Sequence, residues 1–224
     1  MPNTKLILSA LCKLLLGVGM IAALLFLPAG TWQYWQAWVF IALLFIPMLI
    51  IGIGLLIISP ELLAKRLNNK EKEQTQKHVV ALSGLMFISG FILCGLDHRY
   101  AWSQIPLGLS ITASVIFIIG YALYTEVLRE NAYLSRTIEV QDNQQLINTG
   151  LYGIVRHPMY TATLLMFLSI PLILGSWWAL LIFAIYPILI IVRIQNEEKV
   201  LTAELKGYTH YQTQVRWRLI PWVW

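Results

Sequence analysis

The stretch VRHPMY, residues 155–160, places an arginine, an imidazole, a proline and a tyrosine at the mouth of a segment, residues 161–176, that carries no charge. A residue before proline is pushed out of the helical region, so His157 is expected to be extended. Proline suits the first helical position, where its missing N–H removes nothing, so a helix should start at Pro158. The N–H groups of Met159, Tyr160 and Thr161 would then point toward the interface, an arrangement that suits an anion. The plainer reading of the same residues is a membrane-boundary anchor joined to a helix start.

A second stretch, RIQNEEKVL at residues 193–201, sets Arg193 and Glu197 four apart, hence on one helix face. As a solvated ion pair they would contribute about 0.3–0.5 kcal/mol. As a binding face, Arg193 would take a carboxylate, and Glu197 an ammonium or a ribose hydroxyl. Glu198 and Lys199 point elsewhere and are expected to be solvated. The tail GYTHYQTQVRWRLIPW, residues 207–222, mixes aromatics with cations and reads as an interfacial segment. The run EKEQTQK, residues 71–77, reads as a solvated loop.

The elements that must position these residues are apolar. Of 224 residues, 58% are hydrophobic and 12% charged, and the mean hydropathy is +0.68. Soluble domains carry about 25% charged residues. Six apolar segments stand out, at residues 6–27, 37–58, 79–96, 105–124, 158–174 and 177–192. A helix needs about 20 residues to span a bilayer. The expected fold is all-α, a polytopic integral membrane helix bundle of about six spans. The last two, separated by Gly175 and Ser176 alone, should form a tight helical hairpin, with kinks at Pro171 and Pro187. Residues 1–125 form four N-terminal spans, and residues 126–224 a polar-rich C-terminal half.

The net charge of +5 is a topology signal here and not a nucleic-acid footprint. Of the 16 Lys and Arg residues, only Arg99 falls in a loop of the opposite side. That asymmetry places both termini in the cytoplasm. Lys13, within the first span, is expected to snorkel to the interface. Trp32, Trp35, Trp38, Trp102, Trp177 and Trp178 gather at the predicted outer ends, as an aromatic belt does. Cys12 and Cys94 lie in apolar runs, and the four histidines share no spacing, so a metal site is unsupported. No ionisable residue sits mid-span, which counts against a proton-coupled transporter.

In order, QDNQQLINTGLYGIVRHPMYTA (141–162), an apolar hairpin, RIQNEEKVL and YTHYQTQVRWRLIP (208–221) resemble the isoprenylcysteine carboxyl methyltransferase family, which is related to the membrane phospholipid methyltransferases. The resemblance covers roughly residues 126–221. It implies S-adenosyl-L-methionine as cofactor, held by this half at the cytoplasmic face. By the same resemblance, the cofactor contacts fall on Gln141, Gln144, Gln145, Leu146, Ile147, Tyr152, His157, Pro158, Met159, Tyr160 and Glu197. Arg193 matches the arginine on the substrate side. The implied acceptor is lipophilic: an isoprenylcysteine-like or other carboxylate, or a membrane lipid. A carboxylate needs orientation and no base, whereas a lipid amine needs a base, for which Glu198 and His157 are the nearby candidates. Three alternatives stay open. They are N-methylation of a phospholipid amine, an NADPH-dependent membrane reductase using Arg136 and Arg156 for the 2′-phosphate, and a non-catalytic membrane protein or transporter.

Overall fold

The computed structural model describes residues 4–67, 74–135, 137, 140, 141 and 143–224. Among these, all regular structure is helical. The order is α1 (Thr4–Ala29), α2 (Trp35–Ile58), α3 (Pro60–Leu67), α4 (Gln74–Tyr100), α5 (Leu107–Glu130), a 3-10 turn (Gly150–Gly153), α6 (Pro158–Leu174), α7 (Trp177–Phe183), α8 (Tyr186–Glu204) and α9 (Tyr208–Gln214). Helices satisfy every backbone group internally, which is what a bilayer demands. Their outer faces carry large exposed apolar side chains such as Leu15, Leu16, Leu27, Ile58 and Leu181. Soluble proteins do not tolerate apolar patches that large, and lipid does.

Each of the six apolar segments lies in helix, with two differences from expectation. Five helical stretches are long and apolar enough to cross a membrane, α7 and α8 counting together as Trp177–Glu204. The sixth, α6, has 17 residues, about 26 Å at 1.5 Å per residue. Pro158 fixes its start. Gly175, at φ +84°, fixes its end, its N–H donating to the Pro171 carbonyl. The final segment is not one helix. It breaks at Ala184 and Ile185 because Pro187 has no N–H and its ring clashes with the carbonyl four residues back, that of Phe183. The hairpin itself is tight: Ser176 caps α7 by accepting the Ala179 N–H.

Helix α3 lies in a region read from sequence as loop. Gln74–Lys77, expected in a loop, belong to the first turn of α4, and residues 71–73 lie outside the described residues. Residues 97–100, read as loop, are the last turn of α4.

The two ends of the bundle differ. At one end exposed Trp32, Trp35, Trp38, Trp102, Trp177 and Trp178 gather, and Tyr34 donates to the Leu174 carbonyl at 2.6 Å. Buried Asp97 accepts the Ser103 N–H and hydroxyl, each at 2.7 Å, and the Ser176 hydroxyl, locking the hairpin to α4. At the other end Lys13 is exposed. It donates to the Leu67 carbonyl and ties α1 to the end of α3. Between the ends α5 lies against α6 at closest approach over Gly120, where a Cβ would stand 2.6 Å from Met166 Cγ and 3.0 Å from the Ala162 carbonyl. That contact fixes the depth of α6, and therefore of VRHPMY.

Candidate active site at the charged end of the bundle

His157 precedes α6 with φ −128° and ψ 61°, outside the helical region as Pro158 requires. Its carbonyl takes the Tyr160 N–H at 3.0 Å and the Thr161 N–H at 3.3 Å. The expected trio of open N–H groups is therefore not formed. The helix start closes on itself, and of the three only the Met159 N–H is not given to that carbonyl. Across the start of α6 runs the tail. Arg156 N–H donates to the Trp217 carbonyl and His157 N–H to the Arg218 carbonyl, both at 2.9 Å, and the Thr161 hydroxyl donates to the Leu219 carbonyl at 2.7 Å. The tail is thus docked on the motif.

The expectation that Glu198 is solvated also fails. Glu198 is 6% exposed and accepts Arg156 Nε at 2.7 Å and Arg218 Nε at 2.8 Å, with His157 Nε2 at 3.3 Å. Arg156, itself 7% exposed, donates further to the carbonyls of Val215 and Arg216 at 2.7 and 2.9 Å. A buried carboxylate is tolerable only with this degree of compensation. One glutamate thereby joins α8, the start of α6 and the tail. It is committed as a structural acceptor, and the His157 ring is turned to it, so neither stands open as a base.

Successive helix residues point about 100° apart. Glu197 therefore faces elsewhere, toward Tyr160. The Tyr160 hydroxyl donates to Glu197 Oε2 at 2.6 Å and accepts from Arg193 Nε at 2.8 Å. The i,i+4 pair is bridged through a buried phenol rather than left in water.

These residues edge a polar cavity of about 100 Å³. Gln144, Gln145, Leu146, Ile147, Tyr152, His157, Met159, Tyr160, Arg193 and Glu197 all line it. Gln141 and Pro158 do not. Gln141 sits behind the wall, its side chain donating to the Tyr133 carbonyl at 2.7 Å and its N–H to Gln144 Oε1 at 2.9 Å. Pro158 is buried as the first residue of α6. The remaining lining includes residues to which the sequence assigned no cofactor contact: Asn131, Tyr133, Ser135, Arg156, Tyr208 and Tyr211. Tyr211 donates to the Tyr152 carbonyl at 2.6 Å, and Asn131 to the Tyr152 hydroxyl at 2.9 Å. Burial lifts the phenols of Tyr152, Tyr208 and Tyr211 well above their ordinary range, so all three stay neutral. Tyr208 is 3% exposed and its hydroxyl has no partner. A buried hydroxyl without a partner is costly, and here it edges a cavity. The 3-10 turn that presents Tyr152 is held from below. Gly150, at φ +52°, leaves room for the Glu130 carboxylate, which accepts the Leu151 N–H at 3.0 Å.

A second cavity, about 670 Å³, lies deeper among α2, α3, α4, α5, α6 and α8. Its body is apolar, with Leu44, Met48, Ile51, Val79, Phe87, Met166 and Ile190 in its walls. Ser135, Met159, Tyr160 and Arg193 line both cavities. A polar chamber at the charged end and an apolar chamber within the bundle thus meet at the Tyr160–Arg193 contact.

The model of the phospholipid methyltransferase family matches residues 109–207. A Bacillus subtilis (strain 168) protein described as the uncharacterized protein YpbQ is 31% identical over 90 residues, 40% of this chain and 54% of that one. The aligned region thus spans about half the length of that curated relative. A solved structure of the eukaryotic intramembrane Ras methyltransferase, isoprenylcysteine carboxyl methyltransferase, superposes with TM-score 0.48 and 18% identity over 95% of this chain and 86% of its own. The family match runs from α5 through α8 and takes in VRHPMY, the hairpin and RIQNEEKVL, and over that segment the chain is similar to the phospholipid methyltransferase family.

Proposed function

We propose that the chain is an S-adenosylmethionine-dependent methyltransferase that esterifies a lipophilic carboxylate drawn from the membrane, isoprenylcysteine-like in its chemistry. The observation that carries this reading is the meeting of a polar and an apolar cavity at Tyr160 and Arg193.

The donor set of the polar chamber fits the cofactor. Glu197 complements an ammonium, the neutral tyrosines offer flat apolar faces to an adenine, and the unpartnered Tyr208 hydroxyl is a donor that a ligand would satisfy. Ligand pockets usually hold about 300–1,000 Å³. At about 100 Å³ the chamber must widen to admit a nucleoside. Gln144–Ile147 are among the lining residues of the chamber that lie outside helices. When bound, S-adenosylmethionine supplies an electrophilic methyl group on a sulfonium.

The chain's own groups do the rest. The apolar chamber takes the acceptor's hydrocarbon and excludes water. Arg193 holds the acceptor carboxylate, and Tyr160 sets the angle of the guanidinium while linking it to Glu197. A carboxylate is already ionised and needs no base. An amine acceptor must lose a proton, and the residues lining the apolar chamber include no Asp, Glu or His. N-methylation of a phospholipid is for that reason the weaker reading. A reductase is weaker still: Arg156 is buried against Glu198 and cannot take a 2′-phosphate, and Arg136 lies outside the described residues. The asymmetry of cations supports a polar chamber and both termini on the cytoplasmic side.

The test is equilibrium binding of S-adenosylhomocysteine to the purified chain. It is followed by labelled methyl transfer into a prenylcysteine analogue and a phosphatidylethanolamine side by side. Label in the prenylcysteine ester is expected. Tight NADPH binding with no S-adenosylhomocysteine binding would overturn the reading.

A further inference from the structure

We propose that Arg66, on the short helix α3, is a second acceptor-binding cation. With Arg193 it would form a two-arginine mouth to the apolar chamber, selecting a long-chain carboxylate. This rests on the methyltransferase reading and names its substrate class.

Among the described residues, Arg66 and Arg193 are the two cations lining the apolar chamber. They come from opposite parts of the chain, α3 and α8, and flank the adjacent residues Met159 and Tyr160. Arg66 Nη1 lies 3.9 Å from Met159 Sδ, and Arg193 Nε 2.8 Å from the Tyr160 hydroxyl. Arg66 is half-buried, and its hydrogen bonds go to the Ser135 carbonyl at 3.0 Å and the Tyr124 hydroxyl. Its guanidinium also sits over the Tyr124 ring at 5.5 Å. Each of these partners is neutral. The buried guanidinium at this end, that of Arg156, is matched by Glu198. A guanidinium half withdrawn from water among neutral partners is left able to pair with an arriving anion. The cavity behind it is apolar, so the arriving anion must carry a hydrocarbon tail.

Placement at the shared wall also fits the step itself. An oxygen of the acceptor carboxylate forms a bond to the methyl carbon while the methyl–sulfur bond breaks, its electron pair staying on sulfur. The positive sulfonium and negative carboxylate give a neutral thioether and a neutral ester, and no proton moves. The ester no longer matches two guanidiniums, so the same pair that holds the acid favours release of the product.

The experiment uses the full chain in a neutral detergent and measures equilibrium binding of two acids, a farnesyl thioether carboxylate and palmitate, each beside its methyl ester. The wild type is expected to prefer both acids to their esters. Arg66→Gln should weaken both acids about 10- to 100-fold, the loss of one charge-assisted contact, and leave the esters unchanged. Arg66→Lys, which keeps the charge but not the planar fork, should lose less than Arg66→Gln. Equal weakening of acids and esters would make Arg66 merely structural, and unchanged acid binding would remove it from the site; either overturns the proposal. So would phosphatidylethanolamine binding more tightly than the acids and indifferently to Arg66→Gln. S-adenosylhomocysteine binding, measured on the same samples, separates the two levels. Its absence in the wild type refutes the methyltransferase reading, while an Arg66-dependent preference for acids stands without it.

Discussion

Replacing Glu198 by alanine should undock the tail. The carboxylate and the Arg156 guanidinium are 8% and 6% exposed and 2.7 Å apart, so removing one leaves the other charged in a dry site. Breaking such a pair costs about 3–5 kcal/mol. The Arg218 contact adds little, because that side chain is 35% exposed. The cost falls on the tail, since Arg156 also holds the carbonyls of Val215 and Arg216. At 1.36 kcal/mol per tenfold, a loss of about 3 kcal/mol raises the population of undocked tail about 150-fold. Tryptic cleavage after Arg216 and Arg218 reads that population when reclosing is fast relative to cutting. Fragment mass spectrometry of the solubilised protein should show Glu198→Ala cut about 150-fold faster. Glu198→Gln, which keeps an acceptor but no charge, should rise about 10- to 100-fold, and Glu197→Gln should stay near wild type. A rise under about fivefold in Glu198→Ala, or the same rise for both glutamates, would refute the division between them.

Further outcomes follow from other contacts. Arg193→Ala should leave S-adenosylhomocysteine affinity within about twofold and lower kcat/KM for a carboxylate acceptor by about 10- to 100-fold, as expected for one lost charge-assisted contact; loss of cofactor binding instead would reverse the roles given to Arg193 and Glu197. Gly150→Ala should cost about 1–3 kcal/mol, because φ is +52° and the new Cβ would push the Glu130 carboxylate off the Leu151 N–H; an unchanged melting temperature would show that the turn relaxes freely. Tyr208→Phe removes a buried hydroxyl that has no partner, so the chain alone should gain about 1 kcal/mol of thermal stability while S-adenosylhomocysteine binding weakens. A stability gain with unchanged affinity would place the hydroxyl outside the cofactor site.

Much of this was legible in the sequence where the physics is local. Pro158 and Gly175 mark the two ends of α6, and both hold in the structure. The spacing of Arg193 and Glu197 put them on one face, which is where Tyr160 finds them. Helix α3 was legible and passed over. Pro60 at its start, Glu61 in its first turn and Lys65 and Arg66 in its last form the usual signature of a short capped helix. What the sequence could not supply was non-local. Nothing near Glu198 says that it meets arginines 42 positions before it and 20 after it, so it passed for a solvated neighbour of Glu197. The docking of the tail is likewise non-local. Tyrosines and arginines in alternation suit a membrane surface, and only the carbonyl partners at Arg156 and His157 show that the tail covers the motif.

The two adjacent pairs, Arg156 with His157 and Glu197 with Glu198, divide one task. In each pair one residue is spent on holding the tail, and the chain beyond it turns toward the chamber. Arg156 grips Glu198 and the tail carbonyls, and one turn later Tyr160 reaches Glu197. Glu198 anchors α8, and one step before it Glu197 faces the polar cavity. Because Glu197 and Glu198 sit on a single turn of α8, Glu197 cannot shift relative to Tyr160 without straining the Arg156–Glu198 contact. The buried ion pair therefore sets the position of the binding face through rigid backbone. That gives a physical reason to keep a costly charge pair where an apolar contact would pack as well: an apolar contact would hold the tail but would not fix the rotation of α8 against α6.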